Sequence, residues 1–212
     1  MRRYVTLVGT RDVEKEIKDI QIRIGGTMCD DGWTGRSGKA LGSDENYFFG
    51  ALLSPEYLLN GFDNFIAMKV FCNEKHSPET GLIQLQETTY RRRAYFLGIG
   101  ARGTAAGLRS GGIALHSRNS MQVLGQWLVE PSRLLICHAK PLKGLKVSGG
   151  TNTAVALAHH FKIPVVNTWT DEGMGRVMKY LKEKEKRNYA DIYNSLQAQA
   201  VAATAVLELP QW

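Results

Sequence analysis

The densest chemical signal in the chain is Gly149-Gly150-Thr151-Asn152-Thr153, set between a short apolar strand and a helix. Glycines let a backbone approach a ligand closely. Free amides at a helix start, together with the helix dipole, favour a phosphate there. The hydroxyls of Thr151 and Thr153 add donors. No Gly-Lys-Ser/Thr follows, so this is not a Walker A loop, and the glycine spacing is not the GxGxxG dinucleotide fingerprint. The same residues also make a tight strand-to-helix turn that needs no ligand.

A second group is Arg36-Ser37-Gly38 with Gly42-Ser43-Asp44. Arg36 offers a planar cationic fork for phosphate or carboxylate. Ser43 and Asp44 also fit a helix N-cap, a role compatible with ligand contact. A third group runs from Leu115-His116-Ser117-Arg118-Asn119 to Gln122. Arg118 and Gln122 are four apart and share a helical face. Gly9 and Arg11 close the first strand. Arg11, Arg118, Asn119 and Asp44 are the expected polar contacts to a sugar or base. His116 reads as an ordinary surface or core histidine. His159 and His160 are adjacent, do not share a face and make a poor metal site, so neither a bound metal nor a cofactor is expected.

These residues need elements to hold them. Tyr4 to Val8 reads as a strand. Val13, Ile17, Ile20, Ile24 and Met28 follow at helical spacing, with Gly25-Gly26 weakening that helix near its end. Asp30-Asp31-Gly32 is a turn, Trp33 to Arg36 a second strand, and Glu45 to Leu53 the start of a helix. This is the opening of a Rossmann-like parallel sheet, where ligands bind at the carboxyl ends of the strands. The middle, Ser54 to Gly112, is less regular. Phe65 to Phe71 reads as a buried strand, Leu82 to Thr88 and Ala94 to Leu97 are apolar, and six glycines from Gly98 to Gly112 make a loop-rich stretch. Order returns with a helix over Ala114 to Leu128, stopped by Pro131. A central strand follows over Arg133 to His138. Beyond it come a helix over Ala154 to Phe161, a strand over Ile163 to Asn167, and helices over Asp171 to Arg187 and Tyr189 to Leu207.

Composition narrows the class. The chain has 212 residues, with 43% hydrophobic and 22% charged residues. That is ordinary for a globular protein and excludes a wholly disordered chain, a coiled coil or a collagen-like repeat. No apolar run is long enough to span a membrane, and the N-terminus lacks a signal-peptide pattern. Cys29, Cys72 and Cys137 are far apart and form no CxxC pair, which fits a reducing cytoplasm. The net charge of +7 raises the question of nucleic acid. The sharpest basic run, Arg91-Arg92-Arg93 beside Tyr90, reads as an ordinary strand edge or a subunit contact. Lys179 to Arg187 alternates with acids and reads as a solvated helix face.

Taken in order, the motifs resemble the SLOG superfamily, the Rossmann-like group that includes the LOG hydrolases and DNA-processing protein A (DprA). The resemblance is nearest to DprA-like proteins of bacteriophages. It is carried by Val8-Gly9-Thr10-Arg11, by Arg36 to Asp44, by Leu115 to Asn119 with Gln122 to Gly125, by Leu134 to Cys137, by Gly149 to Ala154, and by Ile163 to Asn167. It spans about residues 4 to 170 and is weakest over 54–112. It implies a nucleotide or nucleotide-derived ligand at the strand ends. Some members of the group cleave the N-glycosidic bond of nucleoside monophosphates, others sense nucleotide signals, and DprA binds single-stranded DNA. LOG hydrolases carry a Pro-Gly-Gly-x-Gly-Thr-x-x-Glu loop. Here Ala154, Val155 and Ala156 follow the threonines, so that carboxylate is missing. Asp44 or Glu45 is the replacement candidate for catalysis.

The expectation is therefore one α/β domain over 1–212, a Rossmann-like three-layer sandwich with a mainly parallel sheet and a middle insertion at 54–112. Its expected ligand is a small nucleotide-like molecule, held by Gly9, Arg11, Arg36, Ser37, Gly38, Ser43, Arg118, Asn119, Gln122, Gly149, Gly150, Thr151, Asn152 and Thr153. Nucleic acid is the less favoured partner, a membrane is not expected, and the Ala-rich last helix suggests a homo-oligomer. The alternatives are a nucleoside-monophosphate N-glycosidase and a single-stranded DNA binder.

Overall fold

A computed structural model describes residues 2–38, 40–60, 65–68, 82–83 and 88–207. Six strands form one sheet: β1 (Arg3–Gly9), β2 (Trp33–Ser37), β3 (Phe65–Met68), β4 (Leu82–Ile83), β5 (Leu134–His138) and β6 (Val165–Asn167). Their order is β4-β3-β2-β1-β5-β6, and every pair is parallel. The helices are α1 (Lys15–Asp30), α2 (Ser43–Leu52), α3 (Pro55–Asn60), α4 (Thr88–Arg102), α5 (Ser110–Leu124), α6 (Thr151–His160), α7 (Asp171–Lys184) and α8 (Tyr189–Leu207).

Alternate strand residues feed two different cores, because successive side chains leave a strand on opposite faces. Val5, Leu7 and Ile136 join Ile24, Met28, Tyr47, Ala51, Val177 and Leu181 on the face covered by α1, α2 and α7. Val8, Leu135 and Cys137 join Ala94, Met121, Leu124, Ala154, Val155 and Ala158 on the face covered by α4, α5 and α6. A sheet buried on both faces reads as continuous apolar runs, and Leu134 to Cys137 is such a run. The result is an α/β three-layer arrangement. The chain builds outward from β1 through β2 and β3 to β4, then returns to lay β5 on the other side of β1. The strand order reverses between β1 and β5, and such a switch opens a crevice at the strand ends.

Glycines in helices act here as close contacts. The Gly25-Gly26 pair does not end α1, which continues to Asp30. A Cβ at Gly25 would lie 2.0 Å from the Tyr47 carbonyl oxygen, and one at Gly50 would lie 1.8 Å from that of Ile22. Each helix therefore uses a glycine to bring its partner's backbone near. The stretch from Gly98 onward shows the same effect. The expected loop is helical at both ends, Gly98 to Arg102 closing α4 and Ser110 to Gly112 opening α5, with 103–109 between them outside any helix, and a Cβ at Gly98 would meet the His116 carbonyl oxygen at 2.3 Å. Ala94, Leu97 and Ala101, at helical spacing, turn that helix into the core. The Arg91 to Arg93 run is thus on a helix and not on a strand edge, with Arg92 and Arg93 exposed.

The α5 helix also departs from expectation. It starts four residues early and ends at Leu124, well before Pro131. Gly125 stops it by turning to φ +79°, a left-handed conformation that glycine adopts at little cost. The short α3 helix has no counterpart among the sequence expectations. Of the remaining sequence expectations, Lys39, Cys72, residues 69–71 and residues 84–87 lie outside the described residues.

Candidate functional site

The crevice at the β1–β5 switch is a cleft of about 440 Å³, within the size range of small-molecule sites. Its walls come from four places. The end of β1 contributes Val8 to Arg11, the β2–α2 connection and the first turn of α2 contribute Ala40 and Asp44, and the entry to α6 contributes Ser148 to Thr151. The α5 helix contributes Gly112, Leu115, His116, Arg118, Asn119 and Gln122.

The entry to α6 is built to present backbone. Gly149 has φ +71°, which brings the chain sharply round into the helix. Gly150 is the N-cap and supplies no side-chain cap. The Asn119 amide donates to the Gly150 carbonyl at 2.9 Å. Asn152 accepts from the Val147 amide at 3.0 Å and pins the loop before the helix. The positive end of the α6 dipole therefore opens on the cleft without a side chain covering it.

A buried polar trio borders the same cleft. The Asp44 carboxylate accepts from the Gly38 amide at 3.0 Å and from the Gln122 side-chain amide at 3.5 Å. The Arg118 guanidinium approaches Asp44 to 4.0 Å and donates to the Gly38 carbonyl at 3.2 Å. Burial pushes the Asp44 carboxyl above its ordinary range, while the Arg118 charge and the amides of Gly38 and Ala40 work against it. Burial likewise pulls the Arg118 guanidinium down. Two atoms of the trio, Arg118 Nε and Gln122 Oε1, are buried without a hydrogen-bond partner. Leaving such atoms unpaired is costly, about 1–3 kcal/mol each.

Gly9, Arg11, Asp44, Arg118, Asn119, Gln122, Gly149, Gly150 and Thr151 are thus brought together at one cleft. The other predicted residues are not cleft-lining. Gly38 lies directly beneath the Arg118 guanidinium, where a Cβ would come within 2.3 Å of it. The Ser43 hydroxyl accepts from Gln21 at 2.9 Å and its amide donates to the Thr10 carbonyl at 3.0 Å. Ser37 is buried, and Glu45 is half-buried in the first turn of α2, its amide donating to the Ala40 carbonyl. Asn152 and Thr153 support the α6 entry from behind.

Arg36 is the clearest displacement. The residue is 1% exposed. The guanidinium lies 3.5 Å over the Tyr4 ring and donates to the Glu130 carbonyl at 2.5 Å and the Glu130 carboxylate at 3.2 Å. It anchors the connection between α5 and β5. The reason is strand alternation: Arg36 leaves β2 on the face that carries Tyr4, Ser37 on the other, and both are buried in the sheet short of the cleft, which the sequence alone does not say.

His116 is a cleft residue that the sequence reading placed among ordinary histidines. It borders the cleft, and its Nδ1 lies 2.6 Å from the Thr153 hydroxyl. Its helical spacing with Asn119 was the available signal. Burial and the charge of Arg102 both lower its basicity.

No family model and no curated protein sequence matches the chain. Among solved structures, it is similar to the single-stranded-DNA-binding DNA processing protein A from Helicobacter pylori, at 16% identity and a TM-score of 0.49, over 94% of this chain and 82% of that one. It is also similar to the Moco carrier protein of Chlamydomonas rheinhardtii, at 16% identity and a TM-score of 0.44, over 94% of this chain and 99% of the other. The α/β class itself stands on the parallel register and the strand order.

Proposed function

We propose that the cleft binds a small phosphate-bearing ligand of nucleotide type, with the phosphate on the α6 N-terminus and the rest of the molecule over Asp44, Arg118 and Gln122. One observation carries the reading: an uncapped helix N-terminus and two arginines, Arg11 and Arg118, share one cleft at the strand ends. The resemblance of the motifs to the SLOG superfamily supports it. On that reading the chain is a binder of a nucleotide or nucleotide-derived signal, acting in conflict between phage and host. Calorimetric titration with a panel of nucleoside monophosphates tests it. Wild-type protein is expected to bind, and Gly150→Glu is expected to lose binding while remaining folded. Equal affinity in that variant would sink the assignment.

Asp44 favours a second reading. A buried carboxyl held above its ordinary range beside a ligand cleft suits a general acid. The reaction would be hydrolysis of a nucleoside monophosphate at its N-glycosidic bond. Chromatography after incubation with the same panel separates the two. Free base, lost in Asp44→Asn, marks the enzyme, and unchanged nucleotide marks the binder.

Single-stranded DNA remains the less favoured partner. The exposed Arg92 and Arg93 are on α4, and among the described residues of that helix none borders the cleft. Homo-oligomerisation belongs to the same reading, with Leu196 and Val201 exposed on α8. Light scattering tests it directly, and a monomer at high concentration would end it.

A further inference from the structure

His116 is placed to be more than a wall of the cleft, and the role assigned to it rests on the anion reading above. Its Nδ1 is engaged by the Thr153 hydroxyl at 2.6 Å, which leaves Nε2 as the ring nitrogen for a ligand. Thr153 is the third residue of α6, one turn from Gly150. The helix that presents its amides to an anion therefore also holds the imidazole. Arg118, 8% exposed on the same cleft, has an unpartnered Nε, and the wholly buried Gln122 has an unpartnered Oε1. Both residues line the same cleft as His116.

We propose that His116 is a proton-accepting ligand of the bound oxyanion: as a tetrahedral dianion seats on α6, the imidazole takes one proton from solvent and donates it through Nε2–H to an anion oxygen. One N–H bond forms on the ring as solvent hydronium gives up a proton and becomes water; no other covalent bond changes, and the only species gained besides the anion is that proton.

Charge explains why the proton arrives with the ligand. Arg102 on α4 bears on the imidazole, Arg118 follows it on α5, and Arg11 and Asp44 border the same cleft. The α6 helix faces it with Thr153, which carries no charge. Burial and the Arg102 charge disfavour the imidazolium when the cleft is empty. A dianion reverses the local field, and the imidazolium becomes the favoured form. Thr153 is a positioning residue, holding the ring so that Nε2 is the nitrogen offered.

The test is an NMR pH titration of the His116 ring, assigned by its loss in His116→Gln, with and without inorganic sulfate. Sulfate keeps its charge across the range and contributes no proton of its own. The expected result is an upward shift of the His116 midpoint by about one unit or more, equivalent to tenfold tighter sulfate binding by the protonated form. His159 and His160 should not follow it. Thr153→Val should shrink the shift and Thr153→Ser should restore it. If sulfate moves the Gly149, Gly150 and Thr151 amides while the His116 midpoint stays put, this inference falls and the anion site stands. If sulfate moves neither, both fall.

Discussion

The Asn119 side chain donates a 2.9 Å hydrogen bond to the carbonyl of Gly150, joining the middle of α5 to the N-cap of α6. The two residues are 31 apart in sequence, and the bond is what fixes the helix terminus against the opposite wall of the cleft. Asn119 is buried, so a lost bond is not replaced by bulk water. Asn119→Ala should cost about 1–2 kcal/mol of stability and weaken nucleotide binding more than tenfold. Urea denaturation and calorimetry on one preparation check both. A stability loss with unaltered affinity would show that the bond does not position the ligand amides.

Gly150 and Gly9 are predicted to behave in opposite ways. A Cβ at Gly150 meets nothing within 4 Å, and its backbone has φ −65°, a value any residue accepts. A side chain there enters the cleft and leaves the fold alone. A Cβ at Gly9 would lie 2.4 Å from the Ser43 hydroxyl and 2.9 Å from the His138 carbonyl oxygen. Gly9→Ala should therefore lower stability by about 1–3 kcal/mol through overpacking. Circular dichroism melts of Gly9→Ala and Gly150→Ala separate them: only the first should melt early.

Arg36→Met should destabilise the fold and spare ligand binding. The substitution removes the contact with Tyr4 and the bonds to Glu130, together worth about 2–3 kcal/mol in a desolvated setting. It leaves no buried charge behind, because the Glu130 side chain is 62% exposed. A Kd that worsens tenfold in a fully folded Arg36→Met protein would return Arg36 to the site.

Acid should weaken the fold through His138. This ring is buried against Trp169, with Nδ1 3.0 Å from the Thr168 hydroxyl, and burial lowers its basicity below the ordinary value of 6.5. The unfolded chain then takes up the proton first. The contribution of His138 is complete above 6.5 and is lost as pH falls through the lower folded value. His116 acts in the same direction. Asp44 acts in the opposite one, since its raised carboxyl favours the folded state as pH falls towards 3.8. The informative measurement is therefore the difference in urea midpoint between wild type and His138→Asn from about pH 8 to about pH 5, a span that brackets the ordinary histidine value. That difference should shrink on acidification, and a constant gap would refute the assignment.

The sequence determined the alternation of strands and helices, because apolar spacing of two or of three and four is written locally. It also determined that Gly149-Gly150-Thr151 enters a helix, and that Arg118 and Gln122 share one helical face. Tertiary structure decided everything that depends on which face of a strand or helix meets which neighbour. Arg36 was an equal candidate with Arg118 on residue type alone. Strand alternation put it under Tyr4, and only the packed sheet reveals that. The glycines at 25 and 98 look like breaks in a sequence, since the backbone they admit comes from another element far along the chain. His116 was overlooked for the same reason: its partner Thr153 is 37 residues away, and no local pattern records a contact made across the cleft.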